Sequence, residues 1–95
     1  MSKPFTTSIN ETGVAEVMLD HPPVNAFDSA GWFAIASEID ALGVNDDVRV
    51  IIVAAEGKGF CAGVDIKELS ADSTRIVDVN RGNYETFRAI HRNPK

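Results

Sequence analysis

Val48-Arg49-Val50-Ile51-Ile52-Val53-Ala54-Ala55 runs directly into Glu56-Gly57-Lys58-Gly59-Phe60-Cys61-Ala62-Gly63, and this succession decides the fold class. Apart from Arg49, residues 48–55 are apolar and mostly β-branched, the pattern of a strand covered on both faces. A glycine-rich loop at the C-terminal end of such a strand is the usual ligand position in an α/β sheet. Upstream, Trp32, Ile35, Ile39 and Leu42 recur at helical spacing, with Ser37, Glu38 and Asp40 turned away. They predict an amphipathic helix of about four turns, capped by Asp28 or Ser29 and ended by Gly43 and Asn45-Asp46-Asp47. Helix followed by buried strand indicates an α/β layer.

Working further out, residues 5–9 and 14–20 alternate about Asn10-Glu11-Thr12-Gly13 and predict a β-hairpin, with Val17 and Leu19 on one side and Glu16 on the other. His21-Pro22-Pro23 stops its second strand, because two prolines remove two ladder donors. Beyond the loop, residues 65–69 predict a short helix. Asp72 or Ser73 caps a longer one, with Ile76, Val79, Phe87 and Ile90 as its apolar stripe and Asn93-Pro94 as its stop. Gly82 weakens the middle of that helix. In an α/β unit a further strand is expected to follow, so residues 1–95 read as the N-terminal part of one larger domain.

The chain has 95 residues, nine Lys and Arg against fourteen Asp and Glu, a net charge of −5 and 44% apolar residues. That apolar share suits a globular core rather than a disordered chain. The acidic balance argues against nucleic acid or an anionic membrane surface as partner. A single cysteine, Cys61, makes neither an internal disulfide nor a cysteine-rich metal cage and suits a reducing compartment. The N-terminus lacks the apolar core of a secretory signal, and the longest apolar run, residues 50–55, is far too short to span a bilayer. A cytoplasmic location is expected.

The glycine loop admits two readings. Gly57-x-Gly59-x-x-x-Gly63 approaches a dinucleotide fingerprint, but it has one residue too many before the third glycine and does not follow the first strand of a βαβ unit. The second reading joins two stretches. Pro23-Val24-Asn25-Ala26-Phe27 after a strand, and Gly59-Phe60-Cys61-Ala62-Gly63-Val64-Asp65-Ile66-Lys67-Glu68-Leu69 after a buried strand, resemble the enoyl-CoA hydratase/isomerase (crotonase) family over nearly the whole chain.

The resemblance implies an α/β fold of the crotonase type, a spiral of ββα units. It implies an acyl-CoA thioester as ligand, with coenzyme A arriving on the substrate and no separate cofactor. It assigns the backbone N–H of Val64 to one half of an oxyanion hole for a thioester enolate; Gly63 lets the ligand approach, and the N–H is expected to open a short helix whose dipole favours negative charge. Val24 and Ala26 on one side, with Ala62, Asp65 and Ile66 on the other, are the implied coenzyme A contacts. Lys67, and secondarily Lys58, are candidates for the phosphates, against a plain role as solvated charges. The family's second oxyanion donor and its acid/base carboxylates lie in later segments, so hydration of a 2-enoyl-CoA in fatty-acid or related degradation, or alternatively isomerisation on the same enolate-stabilising device, is expected of a longer parent and not of residues 1–95 alone. Pro22-Pro23-Val24-Asn25-Ala26, Gly31-Trp32-Phe33, Gly63-Val64-Asp65-Ile66-Lys67-Glu68 and Asn80-Arg81-Gly82 also resemble a ring-opening hydrolase branch from actinobacterial steroid degradation. A trimer or dimer of trimers is the implied assembly. The rival from another class is a non-catalytic nucleotide- or CoA-binding module.

Other chemistry-bearing residues have simpler expectations. Cys61 with His21 or His91 would make a nucleophile and base only if the fold joined them; a small buried thiol is the plainer role. His21 reads as a turn residue, and His91 as a cation at a helix end. Two isolated histidines do not make a metal site. Glu68, one turn past Val64, is a candidate base, set against a solvent-facing glutamate beside Lys67. Asp65 reads as a helix-start residue. Trp32, Phe33, Tyr84 and Phe87 read as core and interface aromatics.

Overall fold

The computed structural model describes residues 3–95, so the part of the N-terminal reading that rests on Met1 and Ser2 lies outside the described residues. Strands β1 (Phe5–Ile9) and β2 (Val14–Leu19) form the expected antiparallel hairpin, with Phe5 opposite Leu19 and Ile9 opposite Ala15. The turn is set by Asn10, whose Oδ1 accepts from Thr12 N at 3.0 Å, Thr12 Oγ1 at 2.7 Å and Val14 N at 2.9 Å. Such a side-chain acceptor replaces the backbone partners that a tight turn lacks. Ala15, Val17 and Leu19 of β2 are buried, as period-two alternation requires.

After a short strand β3 (Ala26–Phe27), helix α1 (Ser29–Gly43) starts where the sequence placed it, with Asp28 Oδ1 accepting from Gly31 N at 2.8 Å. Trp32, Ile35, Ala36, Ile39 and Leu42 face the core together with Val17, Leu19 and Phe27. Strand β4 (Val50–Ala55) pairs in parallel with β2, giving the order β1-β2-β4. A parallel pair joined through a helix is what an α/β unit demands.

Two expectations are corrected here. Strand β4 begins at Val50, and it is not covered on both faces by the described residues: Ile51, Val53 and Ala55 pack on the core, while Val50 and Ile52 are 41% and 44% exposed. Helix α1 shields only one face of the sheet, so alternate residues of an unbroken apolar run face outward. The helices at the other end differ from expectation too. Strand β5 (Gly63–Val64) precedes α2 (Ile66–Ala71), and a single 3₁₀ turn (Ser73–Arg75) leads into α3 (Ile76–Arg92). The stripe proposed for α3 holds only at Val79; Ile76, Phe87 and Ile90 are exposed, and the buried face is Val79, Gly82, Thr86 and Ala89. Tyr84 and Phe87 are therefore surface residues, Phe33 is only partly covered, and Trp32 alone of the four aromatics belongs to the core.

Small residues win that face because α3 packs closely along α1. A Cβ at Gly82 would stand 2.9 Å from Trp32 Cβ and 3.3 Å from the Ser29 carbonyl oxygen. Four residues further along the same side, Thr86 Oγ1 donates to the Trp32 carbonyl oxygen at 2.8 Å. Gly82 is thus the contact point of the two helices, and the propensity argument against it is outweighed by packing. Gly82→Ala gains about 1 kcal/mol of helix propensity but meets overpacking of about 1–3 kcal/mol against atoms fixed to the α1 backbone. A net loss of about 1 kcal/mol is expected in urea unfolding; a stabilised variant would refute the close crossing.

Asp72 caps the 3₁₀ turn, its Oδ1 accepting from Thr74 N at 3.0 Å and Thr74 Oγ1 at 2.6 Å. The Thr74 hydroxyl, then the Thr74 amide, hold this carboxyl below the ordinary range. A lowered value means the cap's contribution is complete above the unfolded-state pKa and disappears as pH falls through the folded-state one. Hydrogen exchange at the Thr74 amide should accelerate only at pH values below the ordinary carboxylate range. Equal protection across that interval would contradict the cap.

Among the described residues, no helix is long and apolar enough to cross a membrane.

Candidate active site

The site is built where the segment after β2 meets the segment after β4. His21-Pro22-Pro23-Val24-Asn25 folds into a turn closed by Asn25 N donating to the His21 carbonyl at 2.8 Å, with a cis Pro22–Pro23 bond inside it. Asn25 has φ 55, in the left-handed region, and is 3% exposed. Its side chain is fully used. Oδ1 accepts from His21 N at 2.7 Å, and Nδ2 donates to the carbonyls of Glu56 and Phe60, each at 3.1 Å. One buried amide therefore fixes the proline turn and ties it to the glycine loop, which has few fixed contacts of its own. A Cβ at Gly57 or Gly59 would meet nothing within 4 Å. The sequence reading quoted Asn25 only as part of a motif. Its signal was the tolerance of asparagine for φ > 0 next to prolines.

From there β3 and β5 run in parallel, Ala26 beside Gly63 and Phe27 beside Val64. Ala62 N donates to the Val24 carbonyl at 3.0 Å and Asp65 N to the Phe27 carbonyl at 2.8 Å. In a parallel ladder, alternate residues of a strand turn their N–H groups to opposite edges. Gly63 breaks the alternation after Ala62, and within the Ala26–Gly63, Phe27–Val64 register Asp65 N faces β3, so the Val64 N–H faces the other edge, where no strand lies among the described residues. Gly63, with φ 108, makes the bend, and the space in front of its Cα is open.

A cleft of about 320 Å³ is lined from both segments, by His21, Pro22, Pro23, Val24, Ala26, Ala62, Val64, Asp65, Ile66 and Lys67. Seven of the eight residues singled out from sequence are in that lining, and Gly63 is the strand residue between Ala62 and Val64. Lys58 is not in it and is exposed. Val24 and Ile66, 53% and 72% exposed, present apolar surface at the cleft, and Phe60 is exposed in the adjoining loop. Asp65 is occupied as the N-cap of α2, accepting from Lys67 N at 2.9 Å. Val64 thus stands one residue ahead of the cap rather than inside the helix.

Two alternatives for the polar residues are settled by contacts. Glu68 is neither a base in the cleft nor a solvent-facing glutamate: its carboxylate reaches α1, accepting from Ser29 N at 3.1 Å and Ser29 Oγ at 3.2 Å. Acidic groups are favoured at the start of a helix, where N–H groups lack partners. Cys61 is partly buried against the core, and no hydrogen bond joins it to either histidine among the described residues.

This arrangement has known counterparts. The family model for enoyl-CoA hydratase/isomerase matches residues 9–95. The chain belongs to that family. It is 46% identical over 90 residues to the (7aS)-7a-methyl-1,5-dioxo-2,3,5,6,7,7a-hexahydro-1H-indene-carboxyl-CoA hydrolase of Mycobacterium tuberculosis, covering 93% of this chain and 36% of that protein. The enzyme of the same name from Rhodococcus jostii is 44% identical over 89 residues, covering 92% and 34%. A probable enoyl-CoA hydratase of Bacillus subtilis is 38% identical over 58 residues, covering 61% and 22%. Among solved structures, an enoyl-CoA hydratase of Mycobacterium smegmatis superimposes with a TM-score of 0.87 at 29% identity, covering 98% of this chain and 37% of that one. The chain spans about a third of the length of the two hydrolases. The α/β crotonase fold inferred from the two motifs is the fold observed.

Proposed function

We propose that the cleft between the proline turn and β5 receives an acyl-CoA thioester, and that the Val64 N–H stabilises the oxyanion formed on its carbonyl. The observation that carries this reading is the direction of the Val64 N–H, turned out of the β3–β5 pairing at a cleft-lining residue. A backbone donor held by a parallel ladder on one side needs no reorganisation when charge develops on the other, which is the physical requirement of an oxyanion hole. Val24, Ala26, Ala62, Asp65 and Ile66 shape the coenzyme's path, and Lys67 offers its phosphates a cation.

The reaction proposed is hydrolysis of a cyclic keto-acyl-CoA rather than hydration of a 2-enoyl-CoA. Its support is the two hydrolases, similar over more than nine-tenths of the chain, against a shorter match to a hydratase. In such a hydrolysis, water adds to a ring carbonyl. The bond from that carbon to the carbon α to the thioester then breaks, and the electron pair stays as a thioester enolate until a proton arrives. The charge rests on the oxygen facing Val64. A second donor and the proton-transfer groups come from outside this cleft lining.

Titration with acetoacetyl-CoA, an enolate mimic, tests the ligand class: saturation below about 1 mM is expected, and none at that concentration defeats the reading. Turnover in ¹⁸O water separates the reactions. The isotope should enter a new carboxylate; entry into a hydroxyl would assign hydration instead.

A further inference from the structure

We propose that Glu68, with Ser29 and Arg75, is a positioning residue for the Val64 donor. The proposal rests on the oxyanion reading above and extends it to residues outside the cleft. The chain segments 24–29 and 62–68 run side by side, and their ties alternate along the whole length. Ala62 is bonded to Val24, Gly63 and Val64 are paired with Ala26 and Phe27, and Asp65 is bonded to Phe27. Beyond that ladder the segments diverge, one into α1 and the other into α2. Strand β5 has only two residues, too few to fix its own orientation.

Glu68 closes the open end. Its side chain is 17% exposed, and both carboxylate oxygens are used by Ser29, through N at 3.1 Å and Oγ at 3.2 Å. Arg75 Nη2 donates to the same Ser29 Oγ at 3.0 Å and stands 3.9 Å from the carboxylate, while its Nη1 meets Asp78 at 2.9 Å. Ser29 is 5% exposed, at the first residue of a fifteen-residue helix that is anchored in the core. The cluster therefore fastens α2 to this core-packed helix four residues past Val64. Asn25 fastens the loop at Phe60, four residues before it. Between these anchors the Val64 N–H keeps one direction, and a displacement of about 1 Å at such a donor costs up to about 100-fold in rate.

The test uses the full-length protein and butyryl-CoA labelled with ¹³C at the thioester carbon, whose resonance moves when a donor polarises the carbonyl. In the wild type, binding should move the signal away from its free position. Glu68→Ala should return it about halfway or more, with affinity changed less than about tenfold. Glu68→Gln, which keeps an acceptor for Ser29 N, should restore most of the shift. Ser29→Ala, which loses only the hydroxyl ties, should fall between; it carries the test should Glu68→Ala fail to fold. A full wild-type shift in Glu68→Ala, or in Ser29→Ala as the replacement, accompanied only by lower thermal stability, overturns the positioning role and leaves the oxyanion reading standing. A wild-type signal that does not move on saturation overturns both.

Discussion

Asn25→Ala is expected to abolish acetoacetyl-CoA binding and to remove on the order of 4 kcal/mol of stability, a large share of the roughly 5–15 kcal/mol typical of a folded domain. The substitution strands three groups at once: His21 N and the carbonyls of Glu56 and Phe60. A buried polar group left without its partner costs about 1–3 kcal/mol, and the site is too enclosed at Asn25 for free compensation by water. Alanine also tolerates φ 55 less well than asparagine, adding about 1 kcal/mol. Two controls divide these contributions. Asn25→Gly restores the backbone freedom but not the bonds and should recover only about 1 kcal/mol. Asn25→Asp keeps the acceptor for His21 N but turns an anionic oxygen toward two carbonyl oxygens, so it should be at least as damaging as alanine. Urea unfolding beside the ligand titration measures both effects. An alanine variant within about 1 kcal/mol of wild type would mean that the two loops hold each other without this amide.

That amide marks the boundary of what the sequence made readable. The hairpin and α1 with its Asp28 cap followed from periodicity and cap chemistry, and the cleft-lining residues from a family resemblance carried by two contiguous stretches. These are local signals, and local signals survive folding. The errors arose where the answer depended on a distant element. A run such as Val50-Ile51-Ile52-Val53 has the same composition whether one face or two are covered, so the exposed Val50 and Ile52 were not distinguishable from Ile51 and Val53. In α3 the larger apolar residues seemed the obvious stripe, but the distance to α1 selects for size in the opposite sense, and Gly82, Thr86 and Ala89 take the buried face. Glu68 misled for a related reason. Its neighbours in sequence suggested either solvent or the cleft, whereas its partner Ser29 is thirty-nine residues away. The candidate site was legible as a set of residues, and its supporting contacts were not, because those contacts join segments whose separation no spacing rule encodes.

Replacing the Val64 amide by an ester, with valine's α-hydroxy acid at that position, should lower kcat by about 100- to 1000-fold, or about 3–4 kcal/mol, with KM nearly unchanged. The exchange deletes one hydrogen and leaves the shape of the cleft intact. Val64→Pro deletes the same hydrogen but places a ring methylene where the N–H points, so it should raise KM as well as lower kcat. Val64→Ala is the opposite control: it keeps the N–H and trims a half-buried side chain that packs against the core. It should cost about 1–2 kcal/mol of stability and leave kcat within about threefold. Stability also separates the donor's role from a ladder role. The Val64 N–H faces away from β3, so its loss removes no bond of the β3–β5 pair. The ester does make the preceding carbonyl a poorer acceptor, an effect that belongs to unfolding and not to the split between kcat and KM. A rate held near wild type by the ester would mean that the oxyanion is stabilised elsewhere and that Val64 contributes only its side chain. A rate lost in the ester and retained in alanine would place the function in the main chain and leave the side chain a packing role.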